Sequence, residues 1–433
     1  MSRPAASSNA RFATAHVVGA GLAGLSAASL LAQAGMGVTI SDAGPRAGGR
    51  CRSYHDPQLG LTIDNGNHLV LAGNPAVAQF RARIGAATPL AGSAHADFPF
   101  ADLATGDRWT LRINDGRLPW WIFSRKRRVP GSRLADYLPL GRLLKGKAGQ
   151  TIGQIVAPNG PVWRRMLHPV LLSALNTEPA EASALLAANV LAETLGQGGR
   201  ASAPRIAVPT LAAAFVDPAV DWLAGRGVAL ATGRRLRGIT FDGDAVTGLD
   251  WADGFQKIEA HEAVVLAVPA WVAAGLVPEL VVPDDHRAIL NVHFACPPPL
   301  GAPEILGVVG ATSEWIFTHP DRISITVSGA DRLMDEDREA LARQIWAEVA
   351  QALDMGDAPL PRWQIVKEKR ATFAATPEQD ARRPHSRTRW RNLFLAGDWV
   401  QNGLPATIEG ALRSGDTAAR LVLAQPLVYG AAR

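Results

Sequence analysis

Residues 16–45, HVVGAGLAGLSAASLLAQAGMGVTISDAGP, constrain the fold of this chain more than any other stretch. They read as a short β-branched strand, a glycine turn, an amphipathic helix and a second strand that ends in an acid, which is a βαβ nucleotide-binding unit. Gly19 allows the tight turn, Gly21 lets backbone approach a pyrophosphate, and Gly24 lets helix and strand pack closely. Leu22, Leu25, Ala28 and Ala32 share one helix face. Leu22 and Ala23 open that helix, whose free N–H groups and positive dipole end face the phosphates. Asp42 stands where a carboxylate accepts ribose hydroxyls, and an acid there favours a ribose without a 2′-phosphate.

The next residues decide which dinucleotide. Arg46, Gly48, Gly49 and Arg50 form RAGGR directly after the acid. This resembles the second fingerprint of the glutathione-reductase-type flavoproteins of the amine oxidase and carotenoid desaturase kind, in which the arginine and glycine backbone approach the FAD diphosphate. Near the other end, residues 392–422, NLFLAGDWVQNGLPATIEGALRSGDTAARLV, read as strand, loop and helix. Gly397 turns, Asp398 can bond a ribityl hydroxyl, and Thr407 and Ile408 open a helix whose dipole favours the flavin edge that gains negative charge on reduction. This resembles the C-terminal FAD motif of the same superfamily, so the two ends are expected to meet around one non-covalently bound cofactor. The resemblance also gives a strand like Arg235 to Ile239 the task of bringing backbone to the adenine, with Leu236 as the residue concerned.

The expected fold is α/β: a Rossmann-like FAD-binding domain of the glutathione reductase/amine oxidase type with a second, α+β substrate domain. The FAD lobe is discontinuous, residues 11–75, 206–275 and 385–425, and residues 76–205 and 276–384 build the substrate lobe. The first of those insertions is rich in helical pattern, with Glu181 to Leu195 as a helix; the second carries a strand, Arg322 to Val327, and a helix, Asp337 to Leu353. No second G-x-G-x-x-G lies between strand and helix, so electrons arrive from a transient donor or another protein. No repeat of 20 to 50 residues points to a solenoid.

Composition narrows the class. Hydrophobic residues at 47% and charged residues at 19% give ample apolar side chain for two or three lobes. Two cysteines, Cys51 and Cys296, exclude a disulfide framework and fit a reducing cytosol. Residues 1–15 lack the apolar run of a secretory signal and read as a loose leader. No run of eighteen apolar residues crosses a bilayer; the best, Val264 to Pro278, is broken by Pro269.

Asp64 to Leu71 within LTIDNGNHLVL, and His168 to Leu191 in the middle of the chain, sharpen the resemblance. With RAGGRCRSY and the C-terminal motif they are similar to the squalene-associated flavoproteins, the hydroxysqualene dehydroxylases of bacterial hopanoid synthesis; Asn67 stands where that family carries glutamine. The resemblance implies that hydroxysqualene and reduced FAD become squalene, water and oxidised FAD. An allylic or tertiary-like carbon loses hydroxide only when the oxygen is protonated or hydrogen-bonded, so the chain needs a flavin, an apolar tunnel and a proton donor. His68 is the first candidate donor, as a residue that titrates near neutrality, and Asp64 the second; Glu409 and Tyr54 follow. A polyisoprenoid desaturase running oxidatively needs nearly the same fold, and a non-catalytic isoprenoid carrier is the reading from another class. An amine oxidase would want flanking aromatics where this chain has three tyrosines. No metal is expected.

A thirty-carbon hydrocarbon must come from lipid or from a partner, such as a neighbouring enzyme of squalene synthesis. Residues 117–147 carry nine Lys and Arg against Asp136 alone, within a chain of net charge +5. There Trp120, Trp121, Ile122 and Phe123 can enter the membrane interface while Arg125, Lys126, Arg127 and Arg128 meet anionic headgroups. Peripheral attachment to the inner face of the membrane, in a cytoplasmic protein, is the expectation. Nucleic acid is the other reading of a basic patch, but no nucleic-acid module surrounds it.

Overall fold

The computed structural model describes residues 12–424; of the expected leader, residues 1–11 lie outside them. Phe12, assigned to that leader, is buried edge-on against Phe394, and the first strand begins at Thr14.

That strand, Thr14–Val18, sits at the centre of a five-stranded parallel sheet. Gly37–Ser41 and Ala229–Ala231 lie to one side and Glu262–Leu266 and Leu393–Leu395 to the other. Val17, Ala263 and Val265 on one face pack with helix residues such as Leu25 and Leu412, while Val18, Val264 and Leu266 on the other join Leu249 and Trp251, so both faces are buried, as a parallel sheet requires. Leu22–Gln33 and Ile408–Leu423 pack against each other with small residues at the contact; a Cβ on Gly415 would lie 2.1 Å from the Ala23 carbonyl oxygen. Gly24 serves the same end, since a Cβ there would meet the Gly19 carbonyl oxygen at 1.9 Å. An antiparallel meander, Leu236–Asp242, Ala245–Trp251 and Gly254–Lys257, follows the strand at 229–231.

The second sheet has seven strands, in the order Trp363–Phe373, His286–Phe294, Arg322–Val327, Trp315–His319, Ile305–Val309, Ala96–Asp102 and Arg108–Ile113. Arg338–Ala352, N-capped by Asp337, buries Leu341, Ile345 and Val349 in the core beside it. The last two strands of the sheet add to the helical reading of residues 76–205: beside its helices this insertion contributes a hairpin, and Ala96–Asp102 runs parallel to Ile305–Val309. The expected helix at 181–195 is the shorter Ala184–Glu193, because the Ser183 hydroxyl accepts the Leu186 N–H and fixes its start. Both cysteines are free. Among the described residues no helix is long and apolar enough to cross a membrane.

Candidate functional site

The glycine turn ends the first strand where Gly19 adopts φ +109°, and a Cβ there would strike the Ala267 carbonyl oxygen at 2.3 Å. At Gly21 the situation is reversed: an added Cβ would meet nothing within 4 Å, so this backbone opens onto free space. Gly21 caps the helix with no side chain, which leaves the first-turn N–H groups for a ligand. Asp42 accepts the Ala20 N–H with one oxygen and the Gly44 N–H with the other, both at 2.7 Å, and faces the same space. An anion cradle followed by a ribose acceptor fits the adenosine diphosphate half of FAD.

The two ends of the chain meet as expected. Arg50 donates to Asp398 Oδ1 at 2.6 Å and to the Ala371 carbonyl, joining motifs 348 residues apart. Gly397 donates its N–H to Ser414 Oγ, and Thr407 accepts the Gly410 N–H at 3.0 Å, so the last helix presents its N-terminus here. Around these groups lies one cavity of about 730 Å³. Its lining includes Gly19, Gly21, Leu22, Ala23, Asp42, Gly49, Arg50, Leu236, Gly397, Asp398, Thr407 and Ile408. Gly24 acts in packing instead, and Arg46 is exposed outside the lining. The cavity continues to the seven-stranded sheet along an apolar wall that includes Phe98, Leu111, Trp121, Met166, Leu171, Ile305, Trp315 and Phe317.

His68 is in this lining, next to Asn67, whose amide donates to Thr326 Oγ1 at 3.1 Å and ties the segment to the large sheet. The expectation that His68 titrates near neutrality is corrected: burial, and then the Arg50 guanidinium, hold it down at about 4. It meets a ligand as a neutral imidazole with one N–H to donate. Asp64 is outside the lining. Its carboxylate accepts from Ser53 Oγ and the Leu211 N–H, so it anchors the strand Leu61–Asp64; burial raises its pKa. Glu409 lines the cavity, yet its carboxylate caps the helix Pro75–Arg83 through the Ala76 and Val77 N–H groups, both at 3.0 Å. Tyr54 is likewise absent from the lining.

The aromatic and basic stretch divides. Trp120 and Phe123 are exposed, at 64% and 60%, beside exposed Arg125, Lys126 and Arg127. Trp121 instead turns inward, 3% exposed, edge-on to Tyr137, and forms part of the cavity wall; Arg128 is only partly exposed. The expected insertion of Trp121 into lipid is thereby corrected. Leu118, Leu134, Leu138 and Leu144 are also exposed. They escaped the sequence reading because leucines at such spacing look like the buried side of a helix.

The sequence reading also missed Asn176, Asn291, Thr326, Ser328 and Thr372, a group of uncharged polar residues in the otherwise apolar wall. The one signal was the presence of polar residues inside apolar strands.

Residues 22–423 match the model of the flavin-containing amine oxidoreductase family. The chain is 48% identical to a hydroxysqualene dehydroxylase of Zymomonas mobilis over 94% of its own length and 98% of that protein's. It is 49% identical to a hydroxysqualene dehydroxylase of Rhodopseudomonas palustris over 95% and 98%. Among solved structures, a cyclohexylamine oxidase from Brevibacterium oxydans superposes with a TM-score of 0.71 at 15% identity, covering 95% of this chain and 99% of that one.

Proposed function

The chain belongs to the hydroxysqualene dehydroxylases, within the flavin-containing amine oxidoreductase family, and on that premise we propose that it converts hydroxysqualene to squalene and water. The observation that carries this reading is the single cavity, in which nucleotide-binding loops and a long apolar wall line one continuous space. Reduced FAD, when bound, supplies the hydride that replaces the departing hydroxyl.

The residues divide the remaining work. The helix start at Gly21 and Leu22 holds the diphosphate, Asp42 the ribose, Leu236 the adenine side, and Arg50 with Asp398 the ribityl region. The helix capped by Thr407 directs its positive end at the flavin edge. The apolar wall takes the hydrocarbon and excludes water, which strengthens any hydrogen bond to the substrate oxygen. His68 donates its N–H toward that oxygen. In this division the FAD lobe is made of residues 11–75, 206–275 and 385–425 and the substrate lobe of the two insertions.

The exposed apolar and basic face between Leu118 and Lys147 belongs to the same reading. Trp120 and Phe123 enter the interface of an anionic membrane while Trp121, next in the chain, walls the cavity, so substrate passes from lipid to site over a short path. Attachment is peripheral, and the electron donor is a separate molecule.

The test is anaerobic. The flavin of the purified protein is reduced, hydroxysqualene is added in detergent, and the oxidised-flavin absorbance is followed with product extraction. Reoxidation with squalene in equal amount is expected. Flavin that stays reduced in the presence of bound substrate overturns the reading and promotes the oxidative desaturase.

A further inference from the structure

The dehydroxylation needs a proton for the departing oxygen, and the carboxyls in the cavity lining are already engaged. Asp398 is paired with Arg50, Glu193 and Glu409 with Arg413, Asp42 with two backbone amides, and Glu368 accepts the Asn65 amide. His68 is neutral at pH 7 and holds no dissociable proton of the right strength.

One half-buried carboxyl reaches the wall from behind. Glu314 immediately precedes the strand Trp315–His319, whose first residue faces the cavity. Its Oε2 accepts the Ser328 N–H at 2.8 Å, which brings the carboxyl close to the Ser328 side chain. Ser328 itself is 3% exposed and lines the cavity. Asn176, in the middle stretch that carries the family resemblance, accepts the Gly329 N–H at 2.7 Å and donates to Thr372 Oγ1 at 2.9 Å, which fixes the backbone beside Ser328. Asn291 accepts from Thr326 Oγ1 at 2.7 Å on the neighbouring strand. An uncharged hydrogen-bonding surface thus sits in an apolar wall, with a carboxyl held on the backbone N–H of one of its serines.

We propose that Ser328 hydrogen-bonds the substrate hydroxyl and delivers to it a proton drawn from Glu314, making this pair the acid of the dehydroxylation. This rests on the proposed reaction. As the carbon–oxygen bond breaks, its electron pair stays with oxygen, which takes the Ser328 proton and leaves as water. Ser328 Oγ takes the Glu314 proton, and the carbon gains a hydride, the hydrogen together with the two electrons of its new bond, which the reduced flavin would provide. Glu314 is reprotonated from solvent after turnover. Ser328 touches the substrate and is the catalytic residue of the pair; Glu314 acts through it.

The electrostatics agree with the geometry. Burial pushes the Glu314 carboxyl up to about 7; the Ser328 hydrogen bond and Arg332 pull it down, and Glu178 pushes it up. An acid with a pKa near the working pH is both protonated and strong enough to donate.

The test uses holoenzyme of wild type, E314Q, E314D and S328A in the anaerobic first-turnover reaction across pH. The wild-type rate is expected to fall as pH rises through about 7. E314Q is expected to lose about 10²-fold or more and the inflection with it. E314D should recover part of both, and S328A should be slowed to a similar degree. Flavin content and visible spectrum report that each variant is folded. An independent readout is the infrared carbonyl band of a protonated carboxyl, which should disappear above about pH 7, be missing from E314Q and persist in S328A. If E314Q does not retain flavin, S328A and the infrared titration of wild type carry the test. A wild-type rate and inflection in E314Q or S328A overturn the proposal while leaving the function standing. A wild-type enzyme that makes no squalene overturns the function and this role with it.

Discussion

Asp42 and His68 face one cavity, but their surroundings assign them different tasks, and substitution separates them. Asp42 spends both oxygens organising the nucleotide loop, through Ala20 and Gly44. Its removal loses charge-assisted hydrogen bonds of about 1.5–3 kcal/mol each, so Asp42→Ala is expected to weaken FAD retention by tenfold or more. His68 makes no hydrogen bond to protein among the described residues, so nothing structural depends on its ring. His68→Ala is therefore expected to keep flavin and to lower first-turnover rate by about tenfold, the worth of one hydrogen bond. Because His68 sits at about 4, the variant should leave the pH dependence around neutrality in place. Flavin content after dialysis and the rate profile check both. Full flavin in Asp42→Ala contradicts the ribose role, and an unchanged rate in His68→Ala removes the histidine from the mechanism.

At the scale of elements, the segment from Leu118 to Lys147 makes its own prediction. Each Lys or Arg near an anionic surface contributes about 1 kcal/mol, so neutralising Arg125, Lys126 and Arg127 should cost about 3 kcal/mol of membrane affinity. Flotation with anionic liposomes should be strong for wild type and largely lost in that triple variant. Trp120→Ala should also weaken it, whereas Trp121→Ala should act on the cavity. Equal flotation of wild type and the triple variant contradicts the assignment. The sequence revealed elements wherever the deciding forces were local. Arg322–Val327 shows its alternation and high β-propensity, Asp337 caps its own helix, and Gly24 meets a steric demand within one βαβ unit, against the Gly19 carbonyl. Ala96–Asp102 was not legible because Pro99 within it argues against a strand; beyond its hairpin partner Arg108–Ile113, its other neighbour lies some 200 residues away, with Phe100 opposite Gly307. The same distance hid part of the site. Asn176, Asn291 and Ser328 come from three segments, and each alone resembles a polar fault in an apolar stretch.

For the whole molecule, the proposed cofactor site lies where the early and late segments of the chain are clasped together. Arg50 reaches Asp398 and Ala371, Asp416 in the last helix accepts from Ser26 and Arg83, and Glu409 caps the helix after residue 74. The guanidinium of Arg50 is 41% exposed, so solvent screens it and the ion pair alone contributes little. The greater effect of its loss is on Asp398, 6% exposed, which would stay buried without its cation in the region proposed for the flavin. Arg50→Ala should therefore act on the holo form more than on the apo form. Binding stabilises the folded state as the logarithm of ligand concentration over Kd, so saturating FAD should raise the wild-type Tm by several degrees. In Arg50→Ala that rise should shrink, and Arg50→Lys should not restore it, because one ammonium cannot span a carboxylate and a carbonyl as the planar guanidinium does. Thermal melts of apo and FAD-loaded protein measure the difference directly. An equal FAD-induced rise in all three proteins would mean that the clasp between the chain ends is independent of the cofactor it encloses.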